Sequence, residues 1–368
     1  MTQKGSNSMN TFHSEQQSAT SHTARSPWRK YAIAGAACTA LTVGALVAIF
    51  EPFTAHTTVA STRGAATLTS IIADTSTMSA NEKIFLPVME QLLAQGADAQ
   101  FVKQLVNHAN ATFYEKLTKI NVPVKPPPPP SKTPPKTYDY ATNALAIKKS
   151  GEFLLTNDSL LSAAERKYNV PKEAITSIMW IETRFGDFLG SYHVASVYLS
   201  FALVTQPEYL KKNKDRLKTE FEGTEEEWAE IEKKIEEKSQ RKASWAINEL
   251  LALQTIYKAN PKQAMDLRGS WAGAFGLSQF LPSSYLKLGV DGNSDGTINL
   301  FDVRDAAHSI GNYLSNAGWG KNKKSQHRAV YNYNHSEAYV NAVLGLTKRL
   351  ASDKALSSKI ATEKTPTE

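Results

Sequence analysis

Beyond residue 80, apolar residues recur at three- and four-residue steps, the period that gathers them on one face of an α-helix. Phe85, Val88, Met89, Leu92 and Leu93 form one such face, and Phe101, Leu105, His108 and Ala109 a second. The period returns through Leu154–Tyr168 and through Pro171–Thr183, where Pro171 suits a first helical turn. Further helices are predicted around Trp245–Tyr257, Pro282–Leu288, Asp302–Ala317 and Glu337–Leu350. Strand-like alternation is scarce and no repeat is evident. The chain is expected to be mainly α-helical.

Several stretches break the pattern. Residues 1–24 are rich in Ser, Thr, Asn and Gln without apolar periodicity, the composition of a disordered tail. Arg29 and Lys30 then abut an uncharged run from Tyr31 to Phe50. About 20 apolar residues are what a helix needs to cross a bilayer core of roughly 30 Å. The basic flank on the N-terminal side puts the N-terminus in the cytoplasm and the rest outside. The predicted layout is a cytoplasmic tail over 1–30, a single-pass anchor in the inner (cytoplasmic) membrane over 31–50, and a Thr/Ser/Ala-rich tether over 51–80. One helical domain follows over 81–352, in the periplasm or outside, and a disordered tail over 353–368. A cleaved signal peptide ending near Ala55 or Ala60 is an alternative that also exports the chain, and a lipoprotein acylated at Cys38 is another.

Two insertions interrupt the domain. Five consecutive prolines, Pro126 to Pro130, make 122–136 an extended polyproline strut. The block 208–242 interleaves ten basic with eleven acidic residues, and Trp228, Ile231 and Ile235 supply only a thin apolar stripe. It reads as a solvated helical hairpin, with docking of a cell-wall protein as the lesser alternative.

Composition changes this picture little. The 368 residues carry a net charge of +7, and three of those units belong to residues 1–30. Without an Arg/Lys stripe interleaved with aromatics, nucleic acid is not an expected partner. One cysteine excludes a disulfide framework and a Cys-rich zinc site.

Four blocks carry candidate chemistry. In Ile178-Met179-Trp180-Ile181-Glu182-Thr183-Arg184-Phe185-Gly186 a single carboxylate ends an apolar helix. Desolvation there raises a carboxyl pKa and keeps a general acid protonated near neutral pH, although a helix-end Glu paired with Arg184 fits the same residues. Gly269 to Pro282 alternates small with bulky residues, which allows close backbone approach, and offers Ser270 and Gln279 as hydrogen-bonding groups; a helix-packing turn is the other reading. A serine-hydrolase elbow is excluded, because Gly276-Leu277-Ser278-Gln279-Phe280 lacks the closing glycine. Asp291, Asn293, Asp295 and Thr297, with Gly296 at position six and Ile298 at eight, match an EF-hand loop over 291–305. Position twelve is Asp302, a shorter arm than Glu, and Asp305 is the alternative closing ligand. The predicted cofactor is a structural Ca²⁺, with no organic cofactor. Finally, Tyr331-Asn332-Tyr333-Asn334-His335-Ser336, with Tyr339 after it, sets rings beside amides, a combination suited to sugars and equally to a capped helix start.

In this order the four blocks resemble the lytic murein transglycosylase B family, over roughly residues 84–350 without the two insertions. The resemblance implies a goose-lysozyme-like helical domain that cleaves the β-1,4 bond between N-acetylmuramic acid and N-acetylglucosamine in peptidoglycan, leaving 1,6-anhydromuramic ends. It implies that Glu182 protonates the glycosidic oxygen and then accepts the proton of the muramyl 6-hydroxyl, with help from the sugar's acetamido group. It further implies that Ser270 and Asn334 position the reacting sugar, that Gln279, Tyr339 and Tyr333 shape the glycan groove, and that Ca²⁺ stiffens the lobe. A hydrolytic muramidase on the same scaffold and a non-catalytic, membrane-tethered peptidoglycan-binding module remain alternatives.

Overall fold

The computed structural model describes residues 77–125, 138 and 141–353 of the chain. The expected anchor over 31–50, the tail over 1–30, nearly all of the tether and of the tail over 353–368, and the run Pro126–Pro130 lie outside the described residues. Among the described residues no helix is long and apolar enough to cross a membrane.

Helices dominate, as the periodicity predicts. In chain order they are α1 (Ala80–Ala94), α2 (Ala99–Asn107), α3 (Ala144–Thr156), α4 (Asp158–Tyr168), α5 (Lys172–Thr183), α6 (Val194–Ala202), α7 (Pro207–Lys218), α8 (Glu225–Ala259), α9 (Pro261–Asp266), α10 (Pro282–Leu288), α11 (Val303–Asn316), α12 (Lys323–Tyr333) and α13 (Glu337–Ala351). Local chemistry sets their starts. Ser79 and Glu82 form a capping box on α1, Thr224 and Glu227 another on α8, and Asp98, Asn143, Asn322 and Ser336 cap α2, α3, α12 and α13. Among the described residues the one sheet is minimal: β1 (Tyr192–His193) pairs antiparallel with β2 (Arg268–Gly269).

Two main apolar cores divide the domain. The first joins α1, α2, α6 and the second half of α8 around Phe85, Phe101, Phe201 and Leu250. The second joins α3, α4, α5, α11 and α13 around Leu154, Ile178, Ile310 and Leu346. The segment Gly269–Pro282 passes between them: Phe275 and Phe280 belong to the first core, whereas Leu277 belongs to the second. The Phe275 and Phe280 backbones exchange two hydrogen bonds, of 2.9 and 3.1 Å, so the four residues between them form a tight reversal. Gly276, at φ +75°, and Gln279, at φ +49°, supply its left-handed corners.

The mixed-charge block differs from a solvated insertion in two respects. Its second arm is continuous with the helix expected near Trp245–Tyr257, giving one 35-residue helix, α8. The hairpin of α7 and α8 also buries a small core of its own, Leu217, Trp228, Ile235 and Ala243 with Ile120, Val122 and Val204. Polar groups extend that contact. Lys242 donates to the carbonyls of Leu117 and Lys119, Asn213 to Thr118, Arg216 to Ile120 and Lys238 to Asn121. Five consecutive carbonyls, 117–121, therefore receive side-chain donors from the hairpin. The short 3₁₀ turn Glu115–Thr118 ends here and the chain runs on without helical partners for these groups, so the hairpin provides donors. The hairpin thus clasps the chain over 117–122, ahead of the proline run.

Candidate active site

Glu182 lies in the last turn of α5, which the second core surrounds with Ile178, Met179, Trp180 and Ile181. Its carboxyl is half-buried, and desolvation pushes its pKa up to about 7. The one countervailing influence is a hydrogen bond: Tyr339 Oη donates to Glu182 Oε1 at 2.6 Å. Burial holds the Tyr339 and Tyr333 phenols far above their ordinary pKa, so both remain donors.

After Thr183 the backbone turns sharply. Arg184 and Phe185 take φ values of 49° and 61°, left-handed for two non-glycine residues in succession, and Gly186 follows at 106°. Each such residue costs about 1–2 kcal/mol, so surrounding contacts must hold the turn. Phe185 stacks on Phe153 with centroids 3.9 Å apart and leans on Trp180 at 5.5 Å. The Arg184 guanidinium lies over the Phe188 ring at 4.7 Å. The turn re-aims the chain at the end of α5, leaving Glu182 at the rim of the buried cluster.

The four sequence blocks converge here. Thr183 Oγ1 donates to Leu277 O at 3.4 Å, so the first block packs directly on the second, and just after it a β-carbon on Gly190 would lie 2.1 Å from Gly269 O. Tyr333 donates to Ser278 O at 2.5 Å and stacks parallel to Tyr339 at 6.4 Å, which joins the fourth block to both. The third block enters from beneath, where Leu277 N–H donates to Leu300 O at 2.8 Å.

Individual residues hold different positions from those their types alone suggest. Ser270 is buried, and its hydroxyl accepts from Ala274 N–H at 3.2 Å, closing the Gly269–Ala274 turn. The Gln279 amide donates to Gly276 O at 3.0 Å and Leu189 O at 3.4 Å, bracing the wall beside Glu182's loop. Asn334 ends α12; it is buried, and its Oδ1 has no hydrogen-bond partner, an acceptor left for a ligand or water. Tyr138 is an addition: it is buried and packs edge-on at 6.0 Å against Tyr339, the donor to Glu182. An isolated tyrosine after a proline run has no period to betray it. Tyr313, also missed, supports Tyr333 at 4.6 Å and donates to Asn332 O.

The Asp-rich loop is held by its own carboxylates. Asp291 accepts from the backbone N–H groups of Ser294, Asp295 and Gly296, and Asp295 accepts from Thr297 N–H and Oγ1. Asn293 Nδ2 donates to Asp295 Oδ2 at 3.0 Å, bringing positions three and five together. Asp302 serves as the N-cap of α11, and Asp305, fully buried, accepts from the N–H groups of Gly292, Asn293 and Asn299. Among the described residues no group of three or more His, Cys, Asp or Glu side chains is arranged to hold a metal. The donor set at the front of the loop is all oxygen, from Asp291, Asn293, Asp295 and the Thr297 carbonyl, which fits a hard cation and no soft one. The closing carboxylate expected of Asp302 or Asp305 is engaged with backbone instead.

Residues 81–329 match the family described as the transglycosylase SLT domain. The chain belongs to that family. A 166-residue stretch is 31% identical to the membrane-bound lytic murein transglycosylase B of Escherichia coli K12, covering 45% of this chain and 36% of that relative's length. The SLT domain here also has the fold of the soluble lytic transglycosylase SltB1 of Pseudomonas aeruginosa, with TM-score 0.55, 20% identity, and 74% of this chain aligned to 99% of that one. SltB3 of the same organism, solved in complex with NAG-anhNAM-pentapeptide, aligns with TM-score 0.54 at 19% identity over 75% of this chain and 80% of its own. The helical, lysozyme-like architecture expected from the four blocks is thus the architecture observed.

Proposed function

We propose that the chain is a lytic murein transglycosylase, cleaving the β-1,4 bond between N-acetylmuramic acid and N-acetylglucosamine with formation of 1,6-anhydromuramic ends. The observation that carries this reading is Glu182: one carboxyl with a pKa of about 7, hydrogen-bonded to the Tyr339 phenol, with no second carboxylate among the described residues acting on it. Hydrolysis in two-carboxylate enzymes needs a base or nucleophile besides the acid. Intramolecular attack by the 6-hydroxyl needs only one group that acts twice. Family membership and the relatives' names support the same chemistry.

In this mechanism neutral Glu182 gives its proton to the glycosidic oxygen as the C1–O bond breaks, and the acetamido group of the muramyl residue stabilises C1 as an oxazolinium. The Glu182 carboxylate then takes the proton of the 6-hydroxyl as the 6-oxygen bonds to C1 and the acetamido oxygen leaves it, which restores both the acid and the acetamido group. Tyr339, donating to Oε1, steers the acid proton to Oε2 and stabilises the carboxylate between the two steps. Asn334 offers Oδ1 to the sugar, Tyr333, Tyr138 and Gln279 wall the groove, and Ser270 fixes the turn beneath it. Asp291, Asn293, Asp295 and the Thr297 carbonyl would hold Ca²⁺, while Asp302 and Asp305 shape the loop from behind. When bound, the ion would stiffen the loop whose Leu300 carbonyl receives Leu277 N–H.

Export completes the reading: residues 31–50 anchor the chain in the inner membrane, the domain over 81–352 lies outside the cytoplasm, and glycan strands are its partner. Mass spectrometry of products from purified sacculi tests the proposal. Anhydromuramyl ends that disappear with Glu182→Gln support it; reducing ends favour a muramidase, and undigested sacculi a binding module.

A further inference from the structure

Glu249 sits in the middle of α8, fully buried, and no step of the acid–base cycle uses it. Both of its oxygens accept from Ser283, with the Trp245 indole and the Lys287 charge also favouring the carboxylate. Ser283 N–H donates to Oε2 at 2.9 Å and the Ser283 hydroxyl to Oε1 at 2.7 Å. Ser283 is the second residue of α10, a helix that begins with Pro282 and has no side-chain cap of its own, its N-cap being Leu281. Since proline has no N–H, Ser283 presents the first backbone donor of that helix. A carboxylate 34 positions away thus does the work that a local Ser or Asp does at other helix starts in this domain.

The position of that contact gives it a further role. The residues just before Ser283 are the catalytic-side reversal: Ser278 accepts from Tyr333, Gln279 braces Leu189, and Phe280 packs against Tyr333 at 6.0 Å and Tyr313 at 5.8 Å. The opposite end of the segment is held from the same side. Tyr198 donates to Gly273 O at 3.0 Å and packs against Trp245, four residues before Glu249 on α8. The reversal is therefore suspended between two buried polar anchors, Tyr198 under Gly273 and Glu249 under Ser283. A buried carboxylate with two hydrogen bonds is a geometrically demanding anchor, because losing either partner leaves a desolvated polar group.

We propose that Glu249 is a positioning residue for the glycan groove: by pinning Ser283 it fixes the Ser278–Phe280 wall against which substrate and Tyr333 are aligned. The inference rests on the transglycosylase reading above. It is tested with Glu249→Gln and Ser283→Ala in the full chain, assayed on purified glycan strands, with hydrogen exchange followed at Phe280 and Tyr285. General instability removes active molecules and lowers apparent kcat at constant KM. A displaced wall instead raises KM. The expected result is a several-fold rise in KM in each variant, no further rise in the double variant, and faster exchange at Phe280 and Tyr285. Unchanged KM in both single variants overturns the proposal, as does a rise confined to Glu249→Gln. If Glu249→Gln does not fold, Ser283→Ala alone decides by the same two outcomes. Wild-type protein that leaves glycan uncut defeats the transglycosylase reading instead, and exchange at Phe280 and Tyr285 then decides whether the pin exists.

Discussion

Tyr339 and Glu182 are 157 positions apart, yet the phenol of one donates a 2.6 Å hydrogen bond to the carboxyl of the other. The pair joins the end of α5 to the first turn of α13. It also sets a balance, since burial raises the Glu182 pKa and the phenol lowers it.

Replacing Tyr339 by Phe removes the lowering influence and leaves the desolvation. The Glu182 pKa is then expected to rise above about 7, moving the alkaline limb of the rate profile to higher pH. The maximal rate falls on the order of tenfold, because the carboxylate formed mid-cycle loses its donor. A pH profile of sacculus solubilisation reads both; an unmoved limb contradicts the assignment of that limb to Glu182.

The same shift predicts a stability trade. Glu182 titrates near 4.5 when unfolded and near 7 when folded, so the folded state holds the proton more tightly. Stability contributed by the neutral carboxyl is complete below the unfolded value and declines as pH rises through the folded one. Glu182→Gln lacks this decline. Its melting temperature is expected to match the wild type near pH 4 and exceed it increasingly up to about pH 8. Equal pH dependence in the two proteins would mean an ordinary, solvated carboxyl.

The acidic loop separates two kinds of aspartate. Asp305 is fully buried and accepts from three backbone donors, so Asp305→Ala should cost about 3 kcal/mol with or without calcium. Asp295 is exposed, and Asp295→Ala should alter the melting temperature chiefly when calcium is added. Thermal scans in calcium and in chelator test both; an identical calcium shift in wild type and Asp295→Ala removes the metal from the proposal.

Lys242 lies buried in the hairpin, where desolvation lowers its pKa to about 7 while it donates to Leu117 and Lys119 and faces the Phe201 ring at 4.3 Å. The unfolded chain binds that proton up to about pH 10.5, so the wild type gains stability between pH 7 and 10 relative to a variant without the amine. Lys242→Met should abolish that relative gain and speed amide exchange over 117–121. Parallel stability curves for the two proteins would show that Lys242 is not held in a desolvated site.

Much of the site was legible because its chemistry is local. Glu182 stands out as a carboxyl closing an apolar helix, and the Gly269–Pro282 block announces close approach through its small residues. The Asp-rich loop is readable from the spacing of its oxygens, and the helices from their period. Charge was less informative: the block over 208–242 looks solvated because its apolar stripe is thin, whereas Trp228 and Ile235 bury against Ile120 and Val204, far away in sequence.

What the sequence by itself determined was the helical class, most element positions, and the residue types proposed to supply the acid, the sugar contacts and the oxygen-rich loop. These follow from interactions within a few residues. Tertiary structure alone decided that Tyr339 rather than Arg184 tunes Glu182, that Tyr138 packs on Tyr339, that Asp302 and Asp305 turn to backbone, and that Glu249 caps a helix from another. Each is a contact between chain segments brought together only when two cores pack on either side of one reversal. Its partner depends on where α5, α8 and α13 come to rest, and no local pattern encodes that distance.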